Sequence, residues 1–179
     1  MRAFIALEVP EEIKEKIEEL QKEFGSEGIV LVKKEAMHIT LQFLGNIGEV
    51  DVAKVREAMQ EIGSAPFEVR LVGLSCFTPE FIKVVFAKVT AGSEELVEIY
   101  KELADALKEK GLAFEKEEYI PHLTLARVKR VRNKDALVSA INKHSALDLG
   151  SFTASGISLK ESILTPEGPV YNTLYELKL

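Results

Sequence analysis

The sequence predicts an α+β protein built from two similar lobes that meet across a groove. Two observations lead to this prediction: a short motif containing histidine and threonine occurs twice, and each copy follows a segment with helical periodicity. The chain is also rich in short runs of Val, Ile and Phe, which are typical of strands. With 179 residues, 46% of them hydrophobic, it is long enough for one well-buried core. We therefore expect a single bilobal domain covering residues 1–179.

The first half of the chain predicts strands and surface helices in alternation. Residues 2–7 form a short apolar strand that Pro10 ends. A helix follows, because apolar residues recur at helical spacing up to Gly25. A second helical stripe ends at Gly63. Extended apolar runs predict the remaining strands, at residues 29–32, 37–44, 66–74 and 82–89.

The second half again has a helix followed by a motif strand. Ser93 is a suitable N-cap for a helix that runs to Gly111, because its hydroxyl can accept from the first free amides. We expect residues 114–119 to extend toward a strand at 120–128, and Asn133 to cap a further short helix. Two strands complete the chain, at residues 152–164 and 171–179, joined by a turn at 166–169.

The repeated motif is histidine, an aliphatic residue, threonine and leucine. It occurs at residues 38–41 and again at 122–125, 84 positions further on (122 minus 38). Threonine occupies 7 of 179 positions, so a given histidine meets threonine two places later by chance about 4% of the time. Two of the three histidines do so, and chance is the weaker explanation. On a strand, residues two apart share a face, so each copy presents an imidazole beside a hydroxyl.

Two facing imidazoles fit metal-free acid and base catalysis. Histidine titrates near neutral pH, so one imidazole can take a proton while the other gives one. Two hydroxyls suit the non-bridging oxygens of a phosphoryl group as charge develops on it. In-line displacement at phosphorus has an attacking oxygen on one side and a leaving oxygen on the other, which explains why two sets of the same groups are useful.

Other chemistries fit the sequence less well. It contains neither a zinc-ligand spacing, nor a Gly-x-Ser-x-Gly elbow, nor a Gly-x-x-x-x-Gly-Lys loop for a triphosphate. We expect neither metal nor cofactor. Cys76, the single cysteine, cannot form an internal disulfide and is interpreted as a small buried hydrophobe. His144 falls at the end of a predicted helix, where dipole and solvent account for it.

Charge and hydropathy limit the partners and location. The net charge of −6 argues against a general nucleic-acid binder, but residues 127–134 contain five basic side chains and begin inside the second motif. This run is a candidate phosphate-attracting rim, although a solvated strand end explains it equally well. No apolar run approaches the length of a membrane span. We expect a cytoplasmic protein with no membrane contact.

The motifs resemble those of a known superfamily. Residues 2–6 (Arg-Ala-Phe-Ile-Ala), 38–45 (His-Ile-Thr-Leu-Gln-Phe-Leu-Gly) and 121–127 (Pro-His-Leu-Thr-Leu-Ala-Arg) are similar to the two-histidine phosphoesterases. Within that superfamily the sequence resembles the bacterial and archaeal RNA 2',3'-cyclic phosphodiesterases, also called 2'-5' RNA ligases. The resemblance spans essentially the full chain. It implies a bilobal α+β fold in which each lobe is an antiparallel sheet with helices on its outer face, around a central cleft.

The resemblance also implies an activity and roles for six residues. The expected reaction is metal-independent hydrolysis of an RNA 2',3'-cyclic phosphate end to a 2'-phosphate, with His122 as proton acceptor and His38 as proton donor. Thr40, Thr124 and Arg127 would bind the phosphate. Phe43 would stack on a base. The partners would be RNA ends, such as tRNA-like fragments, bound by a monomer.

Two points stay open in the sequence. Strict strand alternation turns Phe43 and Arg127 away from their histidines unless a bulge intervenes, so a core position for Phe43 is an alternative. The same four motif side chains would also serve 2'-5' RNA ligation as the main activity. A non-catalytic protein that binds RNA ends or nucleotides is a further alternative, although binding alone does not need two acid–base groups.

Overall fold

The computed structural model describes residues 1–114 and 118–179. In these residues the chain forms nine strands and four α-helices, with a short 3₁₀ turn at Lys34–Ala36. In chain order the elements are β1 (Arg2–Glu8), α1 (Glu11–Gln21), β2 (Ile29–Leu31), β3 (His38–Asn46), α2 (Glu49–Gln60), β4 (Phe67–Cys76), β5 (Val84–Val89), α3 (Ser93–Glu109), β6 (His122–Val128), α4 (Lys134–Lys143), β7 (Asp148–Ala154), β8 (Gly156–Thr165) and β9 (Gly168–Lys178).

The strands form two antiparallel sheets, which confirms the predicted α+β class. The first sheet has the order β3-β1-β8-β9 and the second has the order β2-β6-β5-β4-β7. Every pairing between neighbouring strands is antiparallel. Strand β3 carries the first motif at the edge of one sheet, and β6 carries the second motif in the other.

Each sheet combines strands from both halves of the chain. If β1–β4 are taken as a first repeat and β5–β9 as a second, the order β3-β1-β8-β9 corresponds to β6-β5-β4-β7, with the motif strand first and the opening strand of the same repeat beside it. The third position is filled by a strand from the other repeat, since β8 pairs with β1 and β4 pairs with β5. The lobes are therefore similar, but neither is one continuous half of the sequence.

Two of the helices also cross between the sheets. Helix α1 connects β1 to the first motif yet contacts β6 and β7, whereas α3 connects β5 to the second motif yet contacts β3. Helix α2 packs on α3 and β9, and α4 packs on β4. Because one cluster of buried apolar side chains includes residues from both sheets and all four helices, the two lobes share a core.

Two predicted details were wrong. The single strand expected at 152–164 is two strands, β7 and β8, which lie in different sheets and are separated at Ser155. Both segments have strand-like patterns, so periodicity alone does not reveal the change of sheet.

The second wrong detail is the N-cap of α3. Ser93 does not cap this helix, because it is the first helical residue, and Gly92 precedes it at φ +86°. A Cβ at Gly92 would lie 2.5 Å from the Glu68 carbonyl oxygen, which explains the glycine.

The predicted N-cap of the last helix is confirmed, and part of one predicted extended segment lies outside the described residues. The Asn133 side chain accepts a hydrogen bond of 3.0 Å from the Ala136 amide, as predicted for an N-cap. Of the segment expected to extend before the second motif, residues 115–117 lie outside the described residues. Across the described part of the chain, the helices are too short or too polar to cross a bilayer.

Candidate active site

Both motif strands contain the same bulge. In β3, Ile5 of β1 pairs with Gln42 and Ala6 pairs with Thr40, so Leu41 is an extra residue. In β6, Val85 of β5 pairs with Ala126 and Phe86 pairs with Thr124, so Leu125 is the extra residue at the corresponding place. A bulge leaves one residue unpaired and reverses the order in which later side chains alternate between the faces.

The bulges bring the residues after the motifs to the face of the histidines. The two strands have the same burial sequence: histidine and threonine are half-buried, and the side chains between and directly after them are buried. Five residues after each histidine comes an exposed side chain, Phe43 in β3 and Arg127 in β6. Phe43 is 62% exposed, so it is not a core residue. Strict alternation, which turns both side chains away, does not hold here.

Three observations bring the two motifs together. Strands β3 and β6 approach until Cα atoms lie within 8 Å of one another. The Tyr119 hydroxyl, just before the second motif, donates a 2.9 Å hydrogen bond to the carbonyl oxygen of Thr40 in the first. Burial is the main cause of the lowered pKa of both His38 and His122, and the positive charge of Arg127, on β6, lowers both values further. We call the surface formed by the two motifs, Phe43 and Arg127 the motif surface.

Aromatic rings hold His38 in place. The Phe4 ring stacks on its imidazole at 4.7 Å with the planes 24° apart, and the Tyr171 ring meets it edge-on at 5.3 Å. Burial lowers the pKa of His38 to about 4, since the charged form loses solvation. The Glu8 carboxylate raises this pKa, whereas the positive charge of Lys160 lowers it. In the free protein His38 is therefore mainly neutral at pH 7.

The surroundings of His122 are similar, with one additional contact. The Phe86 and Phe77 rings lie 5.2 Å and 4.9 Å from its imidazole, both in edge-type arrangements. Its Nδ1 lies 2.8 Å from the Ile120 carbonyl oxygen. Because a carbonyl can only accept, Nδ1 is the donor and carries the proton, which leaves Nε2 of the neutral ring without one. Burial lowers the pKa of His122, and the Ile120 contact partly opposes this.

Sequence reasoning missed the two phenylalanines beneath the histidines. Phe4 on β1 and Phe86 on β5 occupy corresponding strands, and each is 4% exposed beside its own imidazole. A signal was available: the runs Ala3-Phe4-Ile5 and Val85-Phe86-Ala87 precede their histidines by 34 residues (38 minus 4) and 36 residues (122 minus 86). The internal repeat therefore includes the neighbouring strands as well as the motifs.

Gln21, at the end of α1, anchors one of the bulges. Its side chain is 6% exposed, and its Nε2 donates to the carbonyl oxygens of Val32 at 2.7 Å and of the bulged Leu125 at 2.9 Å. The Leu125 carbonyl also accepts from the Val32 amide at 2.8 Å. The crossing helix thus contacts the backbone of the second motif directly. A lone glutamine in a helix gave no sequence signal for this role.

The remaining candidates lie in structural contacts. His144 follows α4, and its Nε2 lies 2.6 Å from the Glu23 carboxylate, which ties α4 to the end of α1. Of the basic run at 127–134, Arg127 acts on the histidines, while Arg130 forms an ion pair with Glu27. The run is therefore not a continuous rim of free cations. Cys76 is half-buried against the core, and burial raises the pKa of its thiol.

The polar side chains of the motif surface suit a phosphoryl group. In residues 1–114 and 118–179, His, Cys, Asp and Glu side chains do not gather in threes or more in the way that a metal ion requires. The polar groups of the motif surface are imidazoles, hydroxyls and a guanidinium. These groups match an anionic phosphoryl group with exchangeable protons.

A bilobal α+β fold with a His-x-Thr motif on a bulged strand in each lobe defines a two-histidine phosphoesterase. Residues 9–162 match the model of the 2'-5' RNA ligase superfamily, and the chain belongs to that family. It is 41% identical to the RNA 2',3'-cyclic phosphodiesterase of Methanocaldococcus jannaschii, over 98% of this chain and 99% of that protein. It is also 41% identical to the protein of the same name from Aeropyrum pernix, over 82% of this chain and 84% of the relative.

Solved structures share the fold. The protein TT0787 of Thermus thermophilus matches with a TM-score of 0.83 and 28% identity, covering 100% of this chain and 98% of that one. Escherichia coli LigT complexed with 3'-AMP also matches with a TM-score of 0.83, covering 99% and 97% of the two chains. At 20% identity, the LigT match supports the fold alone.

Proposed function

We propose that this protein hydrolyses RNA 2',3'-cyclic phosphate ends to 2'-phosphate ends without a metal or nucleotide cofactor. The observation that carries the proposal is the matched pair of bulged strands, which gives each lobe a half-buried histidine and threonine, with the charge of Arg127 acting on both imidazoles. The names of the archaeal relatives support this substrate class.

In the proposed reaction His122 is the base. Its Nδ1 donates to the Ile120 carbonyl, so Nε2 is free to take a proton from water as the water oxygen attacks phosphorus. The bond from phosphorus to the 3'-oxygen breaks on the opposite side, and protonated His38 gives its proton to that oxygen. The product carries a 2'-phosphate and a 3'-hydroxyl, and proton exchange with solvent resets the two imidazoles.

The acid role of His38 requires a change of protonation on substrate binding. In the free protein its pKa is about 4, chiefly because of burial, so little of it is protonated at pH 7. The negative charge of a bound cyclic phosphate favours the imidazolium and raises this pKa. Glu8 acts in the same direction. Substrate therefore supplies part of the electrostatic support that the acid needs.

The other four residues would bind the substrate. Thr40 and Thr124 share the faces of their histidines, and their hydroxyls suit the non-bridging oxygens of the phosphate. Arg127, whose positive charge acts on both imidazoles, would stabilise the negative charge that develops at phosphorus. Phe43 lies on the His38 side, with its ring 6.4 Å from that of Phe4, and its exposed face suits a terminal nucleobase.

Ligation is the second candidate, because the same groups would serve it. A ribose hydroxyl from another RNA end would replace water, and the cyclic phosphate already carries the activation that the new bond requires. The proposal further includes a monomeric, cytoplasmic protein acting on RNA fragments such as those of tRNA. Sedimentation of the purified protein and fractionation of its source cells test these two points.

The decisive assay is incubation of the purified protein with RNA ending in a 2',3'-cyclic phosphate, in the presence of a chelator. We expect a product with a terminal 2'-phosphate, identified by mass spectrometry and by its resistance to a 3'-specific phosphatase. A second reaction with a 5'-hydroxyl RNA measures joined product. A protein that binds the RNA but leaves the cyclic phosphate intact would be the non-catalytic binding protein instead.

A further inference from the structure

The loop at residues 77–83, which joins β4 to β5, presents two exposed aromatic rings, and one of them, Phe77, lies 4.9 Å from the His122 ring. Phe77 is 46% exposed and Phe81 is 67% exposed. The proposed hydrolysis uses neither ring, because water needs no aromatic contact. We propose that this loop binds the first nucleotide of a second RNA strand, the one that carries a free 5'-hydroxyl, and thereby forms an acceptor site for joining RNA ends. This inference rests on the proposed function.

The loop is held in a defined shape. Phe77 stacks on Phe86 at 4.3 Å and meets the His122 imidazole edge-on at 4.9 Å. Further along, the Phe81 amide donates to the Thr78 carbonyl at 3.0 Å, which closes a turn. A fixed ring with an exposed face is a suitable stacking surface, because little side-chain entropy is lost when a base binds it.

Two contacts anchor the far side of the loop to the second motif and the helix after it. The Lys83 carbonyl accepts a 2.8 Å hydrogen bond from the amide of Val128 at the end of β6. The Lys134 ammonium, in the first turn of α4, donates to the Glu80 carbonyl oxygen at 2.6 Å. The loop is therefore attached to β6, which carries His122, and to α4, which follows β6 in the chain.

Because His122 is assigned as the base, the RNA strand that binds on the His122 side of the site must be the one that carries the attacking hydroxyl. The attacking oxygen must lie beside the group that takes its proton, so the nucleophile enters from the His122 side. The departing 3'-oxygen belongs to the nucleoside with the cyclic phosphate, which lies toward His38 and Phe43. Phe77, which contacts His122, is thus on the nucleophile's side of the phosphorus, and Phe81 follows it in the same loop.

The chemistry of the loop fits a nucleotide. Aromatic rings stack on bases of any sequence, and an adjacent cation attracts the phosphate that follows. The Lys83 ammonium lies 5.3 Å from the centroid of the Phe81 ring. The local charge is positive, because Lys83 and Lys134 contribute two positive charges and Glu80, the one carboxylate of residues 77–83, contributes one negative charge. The whole chain, in contrast, has a net charge of −6. Positive charge and rings together favour an RNA strand over an apolar protein partner.

The joining step balances without a further reactant. The 5'-hydroxyl oxygen attacks the phosphorus of the cyclic phosphate, and its proton passes to His122 Nε2. A bond forms between that oxygen and phosphorus, the bond from phosphorus to the 3'-oxygen breaks, and His38 protonates the departing oxygen. The product is a 2'-5' phosphodiester with a free 3'-hydroxyl, and one phosphoryl bond has been exchanged for another.

The test compares two substitutions in one reaction. RNA with a 2',3'-cyclic phosphate end is held at a fixed concentration while a 5'-hydroxyl RNA is varied, and both joined and hydrolysed products are counted. We expect Phe81→Ala to raise the KM for the 5'-hydroxyl strand by about tenfold and to lower the ratio of joined to hydrolysed product by a similar factor. Phe43→Ala should instead raise the KM for the strand with the cyclic phosphate.

Val50→Ala is the matched control, since Val50 is an apolar side chain on α2 that is 72% exposed. It should change neither KM. An unchanged ratio in Phe81→Ala, or a rise only in the KM for the cyclic-phosphate strand, would overturn the acceptor site. Hydrolysis by the wild-type protein with no joined product at any concentration of 5'-hydroxyl RNA would also overturn it, while leaving the proposed hydrolase intact.

Crosslinking tests the site without turnover. A 5'-hydroxyl RNA with 4-thiouridine as its first nucleotide is irradiated with the full-length protein, and the modified peptide is mapped by mass spectrometry. We expect the crosslink within residues 77–83, and its loss in Phe81→Ala. A crosslink confined to the His38 side, near Phe43, would contradict the assignment. Failure of the hydrolysis assay alone, with this crosslink present, would remove the proposed activity but not the binding site.

Discussion

The Nδ1 atom of His122 lies 2.8 Å from the carbonyl oxygen of Ile120, two residues earlier in the chain. This contact fixes the tautomer of the ring, because only a protonated Nδ1 can approach a carbonyl at that distance. Within the described residues, the His38 ring has Phe4 and Tyr171 as neighbours and makes no carbonyl contact of this kind. The two similar motifs therefore hold histidines with different proton chemistry.

The difference leads to a prediction for the histidines themselves. Replacing His38 or His122 by Gln should lower kcat for cyclic-phosphate hydrolysis by about 10²–10⁴-fold each, as expected for loss of a general acid or base. His144→Gln is the matched control, because His144 pairs with Glu23 away from the motifs and should leave kcat unchanged. Near-normal turnover in either motif variant, with circular dichroism unchanged, would remove that histidine from the mechanism.

The pH dependence follows from the lowered pKa values. Burial lowers the pKa of His38 to about 4 and also lowers that of His122. Catalysis requires protonated His38 together with neutral His122. In the free protein the fraction of molecules with this combination is largest at a pH between the two pKa values. The kcat/KM profile should therefore peak below about pH 6.5. The kcat profile should peak at a higher pH, because bound phosphate raises both pKa values. Coincident optima above about pH 7 would contradict this.

Stability should depend on pH through His38. Its folded pKa, about 4, is below the ordinary value of 6.5, so the unfolded chain binds the proton more tightly. The resulting stability is present above about pH 6.5 and is lost as the pH falls through about 4, by up to about 3 kcal/mol. Urea unfolding of wild type and His38→Asn between about pH 4 and 7 measures it. Equal slopes of unfolding free energy against pH in both proteins would refute the prediction.

The threonine hydroxyls can be tested with a substitution that keeps side-chain shape. Thr40→Val and Thr124→Val should each lower kcat by about tenfold or more, because each removes a donor to the developing phosphoryl charge. Thr153→Val on β7 is the control, since Thr153 is exposed on a strand remote from the motif strands in sheet order. A loss confined to KM would mean that the hydroxyls bind the ground state instead.

Gln21 offers a test of the bulge at Leu125. Gln21→Leu removes the hydrogen bonds to the Val32 and Leu125 carbonyls and leaves buried acceptors less satisfied. It should destabilise the protein by about 1–3 kcal/mol. It should also lower kcat more than it changes KM, because Thr124 and His122 lie directly before the bulge. Gln60→Leu, at an exposed glutamine of α2, controls for the substitution. Normal kcat at full folding would make Gln21 structural only.

Much of the site could be predicted from the sequence because its chemistry is repeated along the chain. The His-x-Thr pairs and the apolar runs around them are local patterns, and they predicted the motif strands and the pairing of histidine with threonine on one face. The orientation of Phe43 and Arg127 could not be predicted from strand alternation, and only the family resemblance placed both side chains at the site. This orientation depends on Leu41 and Leu125 being unpaired, which is decided by register against β1 and β5.

The arrangement of the lobes could not be read from local patterns either. The change of sheet at Ser155 and the packing of α1 on β6 and β7 depend on contacts between distant segments. A helix shows which face is apolar but not which sheet covers that face. The same applies to Gln21, whose partners lie in β6 and before the first motif strand.

The exchange of β4, β8, α1 and α3 between the lobes bears on how such a chain could arise. Each half of the sequence would expose unpaired strand edges and an uncovered helix face if it existed alone. Two copies that exchanged these strands and helices would pair each other's strand edges and cover each other's helix faces. Such an assembly would be a domain-swapped homodimer with a two-fold axis between identical histidines. Joining the copies in one polypeptide removes that symmetry requirement, so that duplicate residues can diverge into a donor and an acceptor of protons.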